Sequence, residues 1–399
     1  AFSYCINLNQ VSLSSTIEAI NWDAFYECYN LLFVQNKSNL NITLGSIEYG
    51  RVAENAVAIV DSFDNITYGS EGYFEYAEYN NEAIILRYSG NETEKLVLPE
   101  KINGKEYSIG ARVFSNKEFK LVEFPNTIKS IGAFAFEGCY NLTSISLPEG
   151  LTKVGRAAFV SCQNLLYAYV PTTLSEISEA MFQDCVNLKT LLIQDGVKTI
   201  KNQAFYNCRS LEVVELPPSL KTIEWNAFYE CTTLYAVINL SKLKLKIGSE
   251  DNGMVAFYAY IITNDLNTKV NMYLTDDLFE VIETNDEVYV IKYQGNKVNL
   301  RFPELINGKK YKLGKYILKD TNVQEVTLPS TITEISRYAY CESHNLRKVT
   351  LSSSVKSIED YAFQSCYSLT TINGWDNVEI IGSYAFNGCS SLTNIKTPT

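Results

Sequence analysis

Ten cysteines and a single histidine are the residues of this chain best suited to a nucleophile, a redox pair or a metal site. Their spacing argues for something else. Cys139, Cys162, Cys185, Cys208 and Cys231 follow one another at 23 residues, and Cys5/Cys28 and Cys366/Cys389 keep that interval. Cys341 stands apart, two positions before the column site Ser343. Neighbours in such a column lie about 5 Å apart, one strand spacing. That is near disulfide range, but parallel stacked side chains rarely offer the dihedral a disulfide needs. Buried free thiols filling small apolar gaps are the expectation. A metal site needs convergent ligands, and His344 is the only imidazole. It stands in a loop before Asn345-Leu346, with no Ser or Cys nucleophile motif to match it. Acidic residues are scattered, and none is singled out as half of a glycosidase-like carboxylate pair. The sequence points to no enzyme, no catalytic residue, no metal and no cofactor.

The positions must be set by a regular scaffold. A single globular core rarely grows beyond about 250–300 residues, and this chain has 399. A solenoid escapes that limit because each turn contacts only its neighbours. The repeating unit is clearest in Asn141-Leu142-Thr143-Ser144-Ile145-Ser146-Leu147-Pro148, followed by Leu151, Val154-Gly155, Ala158-Phe159 and Cys162. A period in the twenties with an L-x-x-I-x-L core marks a leucine-rich-repeat solenoid. Ile145 and Leu147 share the inward face of a strand, and Ser144 and Ser146 point outward. Pro148, lacking an N–H, ends the strand. Leu151 and Val154 make a second extended side, Gly155 suits a tight corner, and Ala158-Phe159 to Cys162 is expected as one turn of helix.

The period breaks twice, and the second break copies the first. Val255, Ala256, Ala259 and Tyr260 repeat Val52, Ala53, Ala56 and Val57 at a shift of 203. Leu243 to Gly248 repeats Leu40 to Gly45, and Asn307-Gly308-Lys309 repeats Asn103-Gly104-Lys105. Within the first break, Leu40 to Leu44 alternates like a strand, and Val52 to Val60 has helical spacing. Tyr73–Tyr76 and Ile84–Tyr88 read as a hairpin around Asn80-Asn81. The expected organisation is leucine-rich repeats over 1–36, an α/β insert over 37–93, repeats over 94–239, a copy of the insert over 240–297 and repeats over 298–399. The fold class is an α/β solenoid of short strands and one-turn helices, interrupted by two similar α/β inserts.

The order L-x-x-I-x-L-P, then I-G, then A-F-x-x-C resembles the BspA-type leucine-rich repeat of bacterial surface proteins. It covers roughly three quarters of the chain. The resemblance implies secretion, display at the cell surface and adhesion to host or partner-cell macromolecules.

Charged residues make up 20 % and the net charge is −11. That argues against nucleic acid or an anionic membrane, which call for clustered Lys and Arg. No apolar run approaches the length of a membrane span. The chain opens and closes inside a repeat, so a signal and an anchor are expected outside it. The sequons at Asn36, Asn41, Asn65, Asn91, Asn141 and Asn239 reach a count that chance allows. A solenoid usually binds through its outward strand face. There Tyr167, Tyr169, Leu192 and Val213 cluster over adjacent coils, with Glu215 beside them, as a candidate ligand site. The expected function is a monomeric, extracellular adhesion module for a matrix protein or partner-cell surface. A carbohydrate-binding module and a passive spacer are the alternatives.

Overall fold

The computed structural model describes residues 1–43, 48–56, 58–266, 270–285 and 287–393. Leu44, Gly45, Val57 and Ile395, which the sequence marks as pattern positions, lie outside the described residues. The chain forms two compact units, Ala1–Asn264 and Asp265–Thr399.

The first unit is a solenoid whose coils are joined by parallel ladders. Lys95–Val97, Leu121–Glu123, Ser144–Ser146, Tyr167–Val170 and Thr190–Ile193 lie side by side. Register advances by one repeat, with Ser144 opposite Tyr167 and Tyr167 opposite Thr190. Ile145 and Leu147 are buried and Ser146 is exposed, as the period-two pattern requires. The row continues in a separate ladder of Val213–Leu216, Ala236–Asn239 and Ile261–Thr263. The second side is a ladder too, including Ile128–Ile131 on Lys153–Val154 and Thr199–Ile200 on Thr222–Ile223. Gly132 and Gly155 serve this side by closeness rather than by an unusual φ. A Cβ on Gly132 would stand 2.6 Å from the Ala111 nitrogen in the preceding coil.

The third side is not helical. Arg156–Ser161, overlapping the segment expected as a helical turn, is a run of turns in which Ala157 and Ser161 take left-handed φ of 53° and 59°. Ala180/Asp184, Gln203/Asn207 and Asn226/Glu230 repeat the pair. Every second N–H then donates to the next coil: Ala157 to the Glu179 carbonyl (2.8 Å), Phe159 to Met181 (2.9 Å) and Ser161 to Gln183 (2.8 Å). The reason is width. An α-helix is about 10 Å across, whereas ladders on the other two sides fix neighbouring coils about 4.8 Å apart. A flat turn fits that pitch, and its inter-coil hydrogen bonds offset the left-handed backbone's cost of about 1–2 kcal/mol per residue.

The breaks in the period are also absorbed into the coil. Ala58–Val60, within the run of helical spacing, is a strand parallel to Phe33–Asn36. Residues 40–43 keep the alternation in burial but form no strand. An Asn36–Ser38 side-chain turn, with Asn36 Nδ2 donating to the Leu40 carbonyl at 2.8 Å, bends the chain just before them. The hairpin forms as read: Phe74–Tyr79 pairs antiparallel with Glu82–Tyr88, and Asn80 and Asn81 both have φ > 0. Thr67–Glu71 adds a third strand. Glu82–Tyr88 then pairs parallel to Tyr107–Ile109, so the meander begins the second-side ladder. The second unit repeats this order, with Asn271–Leu274, Phe279–Glu283 and Val288–Tyr293 antiparallel and the last parallel to Lys312–Leu313.

The core consists of columns. Phe114, Phe136, Phe159, Phe182, Phe205 and Phe228 stack with ring centroids 5.0–5.7 Å apart. The cysteines are free, and their thiols do more than fill space. Cys162 Sγ donates to the Phe136 carbonyl at 3.2 Å, and Cys185, Cys208 and Cys231 do the same to Phe159, Phe182 and Phe205. Burial pushes these thiols up, that of Cys139 to about 12. One coil of the second unit departs from the pattern twice. Tyr340 replaces Phe and Ser343 replaces Cys, and both hydroxyl oxygens are buried without a hydrogen-bond partner among the described residues.

Phe159→Ala should destabilise the chain by about 3–5 kcal/mol in urea unfolding, and the outward Tyr169→Ala by no more than about 1 kcal/mol. Equal losses would mean the strand register is wrong by one residue. Tyr340→Phe and Ser343→Cys should each raise stability by about 1–2 kcal/mol, because each removes a buried unpaired hydroxyl. Unchanged unfolding midpoints would show that these hydroxyls carry no penalty.

Candidate functional site

The outward strand face is built by the same alternation that builds the core. In Tyr167–Val170, Ala168 and Val170 are buried, which leaves Tyr167 and Tyr169 half-buried on the outer side. Their lateral neighbours are fixed by the ladder: Ser144 and Thr190 flank Tyr167, and Ser146 and Leu192 flank Tyr169. Leu192 is 40 % exposed. The ladder therefore brings Tyr167, Tyr169 and Leu192 together. Val213 and Glu215 face the same way on the next coil, half-buried, but their strand belongs to the separate ladder. Toward the start of the row, Val97 and Leu121 add exposed apolar surface.

Tyr169 is held in place. Its hydroxyl donates to Glu149 Oε1 at 2.7 Å, and Thr172 Oγ1 donates to Glu149 Oε2 at 2.8 Å. Those two donors hold the Glu149 carboxyl below its usual range, and the carboxylate in turn raises the Tyr169 phenol. The ring is thus pinned at its tip, on the ladder position next to Leu192. The arrangement offers an aromatic–aliphatic surface with an acidic rim.

A second feature was hidden from the sequence. The coils near the start of the chain pack against the turn side of the main array, where it leaves the second-side ladder. Tyr29 lies 4.4 Å from Phe134, and the Arg112 guanidinium stands over both rings at 5.0 and 4.6 Å. Beside this contact is a cleft of about 680 Å3, lined among others by Glu54, Asn55, Glu82, Ser108, Ser130 and Lys153. A repeat period describes coil-to-coil stacking and carries no signal for such side-on packing.

His344 is exposed, stacks on Tyr367 at 5.1 Å and bonds the Ser365 carbonyl through Nδ1 at 3.0 Å. No group of three or more His, Cys, Asp or Glu able to hold a metal occurs among the described residues. No helix among them is long and apolar enough to cross a membrane. Three sequon amides are in structural use, with Asn36, Asn141 and Asn239 donating through Nδ2 to the Leu40, Glu118 and Leu243 carbonyls.

No curated protein matches this chain. Among solved structures it is similar to a leucine rich cell surface protein from Faecalibacterium prausnitzii A2-165, at 22 % identity and a TM-score of 0.41, covering 83 % of this chain and 94 % of that one. A leucine-rich repeat protein from Bacteroides ovatus ATCC 8483 is 19 % identical, with a TM-score of 0.31 and coverage of 84 % and 82 %. The pneumococcal vaccine antigen PcpA is 18 % identical, with a TM-score of 0.33 and coverage of 82 % and 80 %. The model of the BspA type leucine rich repeat region matches in six copies, over residues 1–85, 107–235 and 311–399. With most of its length matched, the chain belongs to the BspA-type leucine-rich repeat family.

Proposed function

We propose that this chain is a non-enzymatic interaction module, displayed outside the cell, that binds a macromolecular ligand through its outward strand face. The binding surface is centred on Tyr167, Tyr169 and Leu192, with Val213 and Glu215 on its border. The observation that carries the reading is the Tyr169 ring, held by Glu149 on a ladder face next to an exposed leucine. A ring fixed before binding loses little conformational freedom on contact, which favours an interface anchor. Membership in the repeat family supports surface display. The chain acts as a monomer, and many copies on one cell supply avidity.

The test is a binding screen against arrayed matrix proteins, with the Tyr167→Ala/Tyr169→Ala double variant in parallel. Loss of two central aromatic anchors should weaken a genuine ligand by about tenfold or more. A ligand bound equally well by the double variant would rule out this face.

A further inference from the structure

Only three tryptophans occur in the chain. Trp375 is buried, with Nε1 donating to the Ile372 carbonyl at 3.0 Å. Trp22 and Trp225 are 70 % and 71 % exposed, more than any other large apolar side chain among the described residues. They are 203 residues apart, the interval of the long repeat. Each opens the same sequence pattern, Trp22-Asp23-Ala24-Phe25-Tyr26-Glu27-Cys28 and Trp225-Asn226-Ala227-Phe228-Tyr229-Glu230-Cys231.

The local structures match as well. Gly50 and Gly253 each press on the coil that carries the tryptophan, with φ of 62° and 60°. A Cβ on Gly50 would collide with the Asn21 carbonyl oxygen and the Ala24 Cβ, and one on Gly253 with the Glu224 carbonyl oxygen and the Ala227 Cβ. The 23-residue fold does not ask for tryptophan here. The same position, three before the core aromatic, holds Ala133, Arg156, Glu179 and Asn202 in other coils of the first unit, and Arg337, Asp360 and Ser383 in the second. Indole appears only in the coil before each break of the period.

The surroundings decide what such an indole suits. A protein hot spot is ringed by contacts that exclude water. These two indoles are flanked by polar groups instead. Beside Trp225, Glu224 holds Lys201 at 3.0 Å and the Asn202 N–H at 3.2 Å. Beside Trp22, the Arg51 guanidinium lies 5.5 Å over the ring while bonding Asp23 at 2.8 Å and Glu54 at 2.9 Å. An aromatic face carries negative quadrupole density, which attracts the row of axial C–H bonds on one side of a β-hexopyranose. The flanking carboxylates, already bonded to these cations, keep further lone pairs for its hydroxyl groups. A single exposed contact is weak, but two contacts on one chain gain avidity on a ligand that presents the same unit repeatedly.

We propose that Trp22 and Trp225 are paired stacking sites for a β-linked hexopyranose polysaccharide, distinct from the strand face assigned above. The test is affinity electrophoresis through gels containing soluble β-glucan, β-galactan or a polyuronate, with iodide quenching of tryptophan fluorescence alongside. Trp375 is buried, so quenching reports the other two. At least one of the neutral polymers should retard the chain and shield the indoles from iodide. Trp22→Ala and Trp225→Ala should each weaken retardation by about tenfold or more, as loss of one of two linked contacts does. The double variant should migrate as in a plain gel. Tyr167→Ala/Tyr169→Ala should leave retardation unchanged, which separates this site from the strand face. Shielding of the unsubstituted chain reads the same contact if a variant fails to fold. The proposal fails if neither neutral polymer retards the chain, if the double variant is retarded like the original, or if only one tryptophan matters.

Discussion

The scaffold of this molecule depends on the distance between one coil and the next. Ladders on two sides hold neighbouring coils one strand spacing apart, and the third side must conform. Helices are too wide for that pitch, so the chain closes each coil with flat turns that bond forward at Ala157, Phe159 and Ser161. The left-handed residues Ala157 and Ser161 are a consequence of that closure. So is the glycine at position 132, where the preceding backbone leaves no room for a side chain.

The same pitch turns the core into columns. Phenylalanines stack at about the coil spacing, and each cysteine from Cys139 to Cys231 reaches the carbonyl of the phenylalanine one coil back. Cysteine combines a small apolar volume with a weak donor. Valine would fill the space without bonding the carbonyl. Serine bonds more strongly in principle, but in the second unit the Ser343 hydroxyl finds no partner among the described residues. The thiols thus belong to the scaffold, and burial raises them away from the reactive thiolate form.

A scaffold of this kind separates stability from recognition. Inward positions are bound by the columns, while outward positions are free to vary from coil to coil. Under the binding proposals above, two places use that freedom. On the strand face, Tyr169 is pinned by Glu149 beside Leu192. On the turn side, the two equivalent indoles stand out among polar neighbours. The breaks in the period leave the scaffold intact, because the meander Thr67–Tyr88 enters the second-side ladder through its last strand.

The sequence by itself determined the coil. A 23-residue period with alternating apolar positions fixes which side chains face inward, and Ile145, Leu147, Phe159 and Cys162 are all buried as that pattern demands. It also determined the long repeat and the Asn80-Asn81 hairpin, since these depend on local spacing and turn chemistry. It placed Tyr167 and Tyr169 on the outer face, but not the bond from Tyr169 to Glu149, which joins adjacent coils at a corner. Only the tertiary structure decided the rest. Ala158–Cys162 and Val52–Val60 have helical spacing, yet the pitch set by the ladders overrides local propensity and keeps the first segment, and Ala58–Val60 of the second, out of α-helix. The packing of Tyr29 on Phe134 and Arg112, and the cleft beside it, arise where one stack of coils lies against the side of another. Such a contact depends on the shape of two finished surfaces, and a repeat period records only how each coil meets the next.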